Sequence, residues 1–168
     1  YATYKNVADK ATITIDDESA IKEDSSLSWL NDGLPSVCKS GEPAFYDTYI
    51  QETFITKTAT FEVSLAQAAA VRAVIVYDSK YEYSAFLNIS RIELEDSTGK
   101  VYYMENVALS EAWYVASEVT GEILYISPGA AAYAEFYELA DIVKVRVTVE
   151  VPEGQEDVGI SEIRVLAK

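Results

Sequence analysis

The chain has 168 residues, a length that fits a single domain. Its 28 acidic and 13 basic residues give a net charge of −15, which disfavours binding to nucleic acid phosphates and to anionic lipid surfaces. Apolar residues make up 49% and charged residues 24% of the chain, a composition typical of folded proteins rather than disordered ones. We therefore predict one acidic domain over residues 1–168 that binds no nucleic acid.

Some residue types are missing or rare. The chain has no histidine, which excludes Ser-His-Asp and Cys-His catalysis and every zinc site that needs a histidine ligand. Cys38 is the only cysteine, so no intrachain disulfide can form. No apolar stretch approaches the roughly 20 residues that span a bilayer, so we expect no membrane insertion. Because the first residue is Tyr1 and not methionine, we expect an excised module of a larger protein.

Alternation of apolar and polar residues predicts about ten short strands and almost no helix. In chain order the predicted strands are Ala11–Ile15, Thr60–Leu65, Val71–Tyr77, Ile89–Glu95, Val101–Met104, Ala112–Ser117, Glu122–Ser127, Ala132–Tyr137, Val143–Val151 and Val158–Ala167. The nearly continuous apolar run Val71–Tyr77 is expected at the centre of a sheet, covered on both faces. This pattern favours an all-β fold, an antiparallel β-sandwich of the jelly-roll type.

Shorter signals mark the connections. Ser25–Asn31 is predicted to be a short helix capped by Ser25 or Ser26 and ended by Gly33. One helical turn is expected at Ala66–Ala70. Ser97–Lys100 reads as a hairpin turn, and a slip in the alternation at Ser161-Glu162 predicts a β-bulge in the last strand.

Aromatic residues near the predicted loops are candidates for sugar binding, because an exposed ring can stack on the C–H face of a pyranose. The candidates are Tyr46, Tyr49, Tyr81, Tyr83 and Trp113, with Asp78 and Asn88 as nearby hydrogen-bonding groups. If the chain from Tyr81 to Tyr83 is extended, the two side chains point the same way. The alternative is that these rings pack in the core or on its rim, as tyrosines of β-sandwiches commonly do.

Acidic residues suggest a possible cation site. Calcium needs six to eight oxygen ligands, which Asp32 in the Asn31-Asp32-Gly33 turn and the distant Glu162 could help to supply. The alternative is a helix C-cap together with a solvent-facing Glu162. The acidic runs Asp16–Glu18 and Glu153–Asp157 could each hold a cation, but such runs are more often solvated loop ends, and no carboxylate pair stands out for catalysis.

Several stretches together resemble the discoidin or coagulation-factor C-type superfamily, which has a galactose-binding-like fold and includes the family 32 carbohydrate-binding modules. The stretch Leu30-Asn31-Asp32-Gly33-Leu34 is similar to its Asp-Gly loop. The residues of Phe61–Leu65 are similar to one of its strands. The residues Val158–Val165, with Ile160-Ser161-Glu162-Ile163 at their centre, are similar to its closing strand.

This resemblance implies two packed antiparallel sheets with binding loops at one end, used outside the cell or at its surface, often in bacteria. It also implies a structural calcium held by Asp32 and Glu162. We therefore expect a noncatalytic carbohydrate-binding module whose partners are a glycan or polysaccharide and neighbouring domains. The alternative is a spacer or protein-interaction module that binds no sugar. A lipid-binding role is disfavoured by the charge of −15.

Overall fold

The structure, a computed structural model, describes residues 4–34, 51–79, 81–109, 114–116, 123–125 and 131–168. Within these residues the chain forms mainly antiparallel strands. They are β1 (Lys5–Asn6), β2 (Thr12–Ile15), β3 (Thr53–Ile55), β4 (Ala59–Asp78), β5 (Asn88–Asp96), β6 (Val101–Ala108), β7 (Tyr114–Ala116), β8 (Ile123–Tyr125), β9 (Ala131–Val149) and β10 (Val158–Ala167). Four short 3₁₀ helices accompany them in these residues, at Ala8–Lys10, Glu18–Ala20, Leu27–Asn31 and Glu82–Ser84.

Two long strands, β4 and β9, run through both layers of the fold. The first half of β4 pairs with β2 on one side and with the second half of β9 on the other, and this half of β9 also pairs with β5. The second half of β4 pairs with β10 and with the first half of β9. Between these halves the β4–β9 register shifts three times between Ser64 and Ala73. The shifts bend both strands, so that the two halves form the two sheets of an antiparallel β-sandwich.

The bend explains where the predicted elements differ from the structure. Thr60–Leu65 and Val71–Tyr77, predicted as two strands, are parts of the single strand β4. The predicted helical turn at Ala66–Ala70 is wrong, because this run continues β4 and Ala69 pairs with Ile142 of β9. A run this short cannot nucleate a helix against the hydrogen bonds of the neighbouring strands.

Other predictions are confirmed. Val71–Tyr77 lies between β9 and β10 and is buried almost throughout. The bulge predicted at Ser161-Glu162 appears as a register shift between Ile160 and Glu162 in β10. Leu27–Asn31 is a short 3₁₀ helix, and the Ser26 side chain accepts a hydrogen bond from the backbone N–H of Ser28.

The core lies between the two sheets. Phe61 and Val63 from the first half of β4 pack in one cluster with Val74 and Val76 from its second half, together with Val147 of β9. These side chains are buried completely. Since each fully buried valine or phenylalanine contributes roughly 1.5–3 kcal/mol, this cluster holds the two sheets together.

The connections that concern function meet at one end of the sandwich. This end, called the loop end here, consists of the described residues in segments 16–26, 51–58, 79–87 and 150–157. The pairing of Ile55 with both Ile21 and Val158 brings three of these segments together, and the pairing of Ile160 with Asp78 brings in the fourth. The strands thus place four loops side by side, as the predicted sandwich requires.

Candidate functional site

The loop that follows β4 is shaped by Asp78. Its carboxylate is completely buried and accepts hydrogen bonds from the backbone N–H groups of Ser79, at 2.8 Å, and Phe86, at 2.9 Å. The Phe86 side chain is also fully buried and anchors the far end of the loop in the core. Asp78 was predicted to contact a ligand directly, but in this conformation it exposes no atom and instead fixes the loop that carries the tyrosines.

This loop presents an apolar surface to solvent. Tyr81, Tyr83 and Leu87 are 45%, 78% and 66% exposed, and Asn88 follows them as an exposed polar residue. The chain is not extended here as the prediction assumed, because Glu82–Ser84 forms a 3₁₀ helix. The two predicted tyrosines therefore lie on one short loop, with a turn of the backbone between them.

Phe54 supports the Tyr81 ring from a neighbouring strand. The two ring centroids are 6.0 Å apart, within the usual distance range of aromatic pairs, and the ring planes are tilted by 38°. Phe54 lies opposite Gly159 of β10, and a Cβ atom on Gly159 would come within 2.7 Å of the Phe54 ring and of the Glu52 carboxylate. The glycine thus leaves room for Phe54, a residue of the candidate site that no local sequence pattern indicates.

A polar network joins three segments beside these rings. The ammonium group of Lys22 lies 2.5 Å from Asp157 Oδ2 and 5.8 Å from the centre of the Phe54 ring. The Ser84 hydroxyl donates to Asp157 Oδ1 at 2.6 Å. The hydrogen bond to Asp157 raises the pKa of Lys22 above its ordinary value. The prediction that all of Glu153–Asp157 is a solvated loop end is therefore wrong for Asp157, which is buried in this network.

Asp32 and Glu162, the two predicted calcium ligands, belong to segments that the fold brings together. The backbone N–H of Gly33 donates to Glu162 Oε1 at 2.6 Å, and Arg164 Nε donates to Oε2 at 2.7 Å. The Glu162 side chain is fully buried. Asp32 accepts a hydrogen bond from the N–H of Leu34. The alternative of a solvent-facing Glu162 is therefore wrong, since this carboxylate ties the Asp-Gly turn to the last strand.

The charges at this position are partly compatible with a cation. Burial raises the pKa of Glu162, hydrogen bonds from Arg164 and Gly33 oppose this rise, and the charge of Asp32 adds to it. A bound cation would favour the ionised form, and each carboxylate oxygen has a second lone pair beside the one that accepts a hydrogen bond. The described residues contain no group of three or more aspartate, glutamate, histidine or cysteine side chains that could hold a metal ion, so Asp32 and Glu162 do not by themselves make a complete calcium site. Calcium stays a prediction.

Three of the predicted aromatic residues, Tyr46, Tyr49 and Trp113, lie outside the described residues. Whether they join Tyr81 and Tyr83 at the loop end stays a prediction.

A separate groove of about 390 Å³ lies on the outer face of the sheet that contains β2, β5 and the bent halves of β4 and β9. Arg146 dominates it and forms ion pairs with Glu62 at 3.0 Å, Glu93 at 3.4 Å and Glu95 at 2.9 Å. The hydrogen bond to Glu95 is the largest cause that raises the pKa of Arg146. None of the predicted ligand or metal residues lines this groove, and its Glu62, Glu93 and Arg146 side chains are bonded to one another.

Comparison with solved structures confirms the expected fold. The chain is similar to a fucose-binding module from Streptococcus pneumoniae, with a TM-score of 0.59, 13% identity, and coverage of 100% of this chain and 99% of that one. It is similar to the family 32 carbohydrate-binding module of NanJ from C. perfringens, solved in complex with galactose, with a TM-score of 0.58, 11% identity, and coverage of 97% and 98%. It is also similar to a chitosan-binding module of a chitosanase/glucanase from Paenibacillus sp. IK-5, with a TM-score of 0.56, 14% identity, and coverage of 96% and 98%.

No protein-family model and no curated protein sequence matches the chain. The described residues contain no helix that is long and apolar enough to cross a membrane. The similarity to the galactose-binding-like β-sandwich is thus a similarity of fold, and it extends over nearly the whole chain.

Proposed function

We propose that this domain is a noncatalytic carbohydrate-binding module that binds its glycan at the loop end. The observation that carries the proposal is the exposure of Tyr81 and Tyr83 on one loop of this fold. Sugar hydroxyls exchange water for protein hydrogen bonds with little net gain, so affinity must come from apolar ring faces covered by aromatic side chains. Two exposed tyrosines on one anchored loop offer such a surface.

The neighbouring polar groups support this proposal. Three loop segments beside the aromatic surface are joined by the contacts of Asp157 with Ser84 and Lys22. Asn88 is exposed at the end of the loop. Hydroxyls, amides, carboxylates and ammonium groups are the partners that sugar hydroxyls need. The loop end thus combines an apolar surface with nearby hydrogen-bonding groups, as small-ligand sites generally do.

The fold comparisons support sugar binding without choosing the sugar. The similar structures are described as modules for fucose, for chitosan, and in complex with galactose. Because these are binding modules, they favour a domain without catalysis that works outside the cell or at its surface, beside other domains of a larger protein. One fold can carry different binding sites, so substitutions at the loop end itself test the proposal.

The alternative, a spacer module without a ligand, is disfavoured by the same tyrosines. A pure spacer gains nothing from an exposed aromatic loop, whereas a protein-interaction module could use the same surface for a protein partner. The two functions differ in one measurable property, which is retention of the domain by polysaccharides.

Affinity electrophoresis in gels that contain plant, bacterial or animal polysaccharides provides this test. We expect at least one polysaccharide to retard the domain, and Tyr83→Ala to abolish most of the retardation. Tyr137→Ala is the matched control, since Tyr137 is 97% exposed but lies near the bend of β9, where Leu139 pairs with Val71. Normal mobility in every polysaccharide, or equal retardation of the Tyr83→Ala variant, would contradict binding at this loop.

A further inference from the structure

We propose that Asp157 is a positioning residue, which holds the loop that carries Tyr81 and Tyr83 in the conformation that exposes both rings. The inference rests on the proposed function and adds what keeps that site formed before a glycan binds. Asp157 belongs to segment 150–157 of the loop end, whereas the two tyrosines belong to residues 79–87, called the tyrosine loop here. Asp157 therefore acts through the tyrosine loop and not by contact with the sugar.

Hydrogen bonds to the backbone shape the tyrosine loop. The carboxylate of Asp78 accepts the N–H of Phe86 at 2.9 Å and fixes the end of the loop. The N–H of Ser84 donates to the Tyr81 carbonyl at 3.1 Å and closes the 3₁₀ turn between the two tyrosines. Tyr83 lies within this turn and is 78% exposed, so its position depends on the turn and not on burial of its own ring.

Asp157 holds this turn from a neighbouring segment. The Ser84 hydroxyl donates to Asp157 Oδ1 at 2.6 Å, and both residues are buried. Asp157 immediately precedes Val158, which is fully buried and pairs with Ile55, so β10 sets the backbone position of the aspartate. A hydrogen bond to a charged group is stronger than one between neutral groups. The hydroxyl therefore ties the end of the 3₁₀ turn to the start of a core strand.

Lys22 supplies the countercharge that the buried Asp157 carboxylate needs, since burial of an unpaired charge is unfavourable. The Lys22 ammonium group lies 2.5 Å from Asp157 Oδ2. The backbone N–H of Lys22 donates to the Phe54 carbonyl at 2.9 Å, and the Phe54 ring contacts the Tyr81 ring. Asp157 is thus connected to the tyrosine loop by two routes, one through the Ser84 hydroxyl and one through Lys22 and Phe54.

This arrangement predicts an effect on affinity without any contact to the sugar. A loop that is already ordered loses less conformational freedom when a glycan binds, which strengthens binding. Without the bond between Ser84 and Asp157 the two tyrosines keep their rings, but the turn between them can adopt other conformations. Affinity should then fall although no stacking group has been removed.

Amide hydrogen exchange of the intact domain, followed by NMR, measures the positioning role directly. Ser84→Ala removes the hydroxyl, and we expect the amides at positions 81 and 84 to exchange at least about tenfold faster while those of β9 keep their rates. Thr98→Ala is the matched control, because the Thr98 hydroxyl donates to Asp96 Oδ1 at 2.6 Å in the turn between β5 and β6. It should leave exchange in the tyrosine loop unchanged.

Affinity electrophoresis connects this effect to glycan binding. The gels contain galactan, fucosylated xyloglucan or dextran, each over a range of concentrations that yields a dissociation constant. We expect Ser84→Ala to raise the dissociation constant about tenfold, which corresponds to about 1.4 kcal/mol, and Thr98→Ala to leave it unchanged. The Ser84→Ala/Asp157→Ala double variant should bind no more weakly than Asp157→Ala alone, because both substitutions break the same hydrogen bond.

The outcomes separate the two proposals. Unchanged exchange at positions 81 and 84 in Ser84→Ala would overturn the positioning role of Asp157. Faster exchange with unchanged affinity, or losses of affinity that add in the double variant, would overturn it as well. If no polysaccharide retards the unmodified domain, glycan binding itself is overturned, while the exchange rates still decide whether Asp157 holds the tyrosine loop.

Discussion

The backbone N–H of Gly33 donates a hydrogen bond to Glu162 Oε1 at 2.6 Å and so joins positions that are 129 residues apart in the chain. The contact depends on two local features. Gly33 has a φ of +82°, a conformation that glycine adopts without strain, and the bulge between Ile160 and Glu162 changes the register of β10 at this position. The early Asp-Gly turn and the last strand are thereby held together by one buried carboxylate.

Removing this carboxylate should destabilise the fold. Glu162→Ala deletes the acceptor of both Gly33 and Arg164, and hydrogen bonds to a charged group contribute about 1.5–3 kcal/mol each in favourable cases. We expect the free energy of unfolding to fall by about 2–3 kcal/mol, with a smaller loss for Glu162→Gln, which keeps one oxygen acceptor. Urea denaturation followed by circular dichroism measures this change. Unfolding midpoints that match the unmodified domain would contradict the role of Glu162.

Calcium should add to this stability if the prediction for Asp32 and Glu162 holds. A ligand that binds only the folded state stabilises it by about 2.7 kcal/mol at 100 times its dissociation constant. We therefore expect the Tm to fall when a chelator replaces calcium, and Glu162→Gln to abolish the difference. Superimposable melting curves with calcium and with chelator would show that Gly33 and Arg164 alone satisfy Glu162.

Gly159→Ala should disturb the aromatic surface from behind. The new Cβ atom would lie 2.7 Å from both the Phe54 ring and the Glu52 carboxylate, so these side chains must move. Because the Phe54 ring is rigid and the Glu52 side chain is buried, the free energy of unfolding should fall by about 1–3 kcal/mol, the usual range for overpacking. Displacement of Phe54 removes support from Tyr81, so we also expect several-fold weaker glycan binding. A variant with unchanged affinity would show that the Phe54–Tyr81 contact has no part in binding.

The turn between β5 and β6 should make the stability of the fold depend on pH. Hydrogen bonds from Thr98 are the main cause that lowers the pKa of Asp96 below its ordinary value of 3.8, and the backbone N–H of Lys100 adds to them. An acid with a lowered pKa in the folded state stabilises the fold above its unfolded pKa, and this stability is lost as the pH falls through the folded pKa. The Tm difference between the unmodified domain and Asp96→Asn should therefore be largest near neutral pH and shrink below about pH 4. A pH-independent difference would contradict this assignment.

Much of the sandwich was predictable because local patterns determine it. The alternation of apolar and polar residues along the last strand predicted Val158–Ala167, and the observed strand has the same ends. The break in that alternation predicted the bulge at Glu162. The bends of β4 and β9 were not predictable in this way. A bulge in the alanine-rich run Ala66–Ala70 leaves no change of polarity, so one long strand reads as two short ones.

The candidate site was only partly predictable for a similar reason. Tyr81 and Tyr83 were selected because they follow the central strand, and their exposure agrees with that choice. The contacts of Phe54 with Tyr81 and of Lys22 with Asp157 join residues that are 27 and 135 positions apart. Such pairs depend on how four loops meet at one end of the fold. The alternation of apolar and polar residues within a single strand contains no information about this meeting.

Glycan binding at the loop end can be measured directly by calorimetric titration of the domain with the glycan that retards it most in gels. Glycan binding at the loop end predicts a dissociation constant between about 10 μM and 1 mM, which corresponds to a binding free energy of roughly 4–7 kcal/mol. It also predicts that the Tyr81→Ala/Tyr83→Ala double variant shows no measurable heat of binding while it keeps the Tm of the Tyr137→Ala control. Unchanged affinity in the double variant would contradict glycan binding at the loop end.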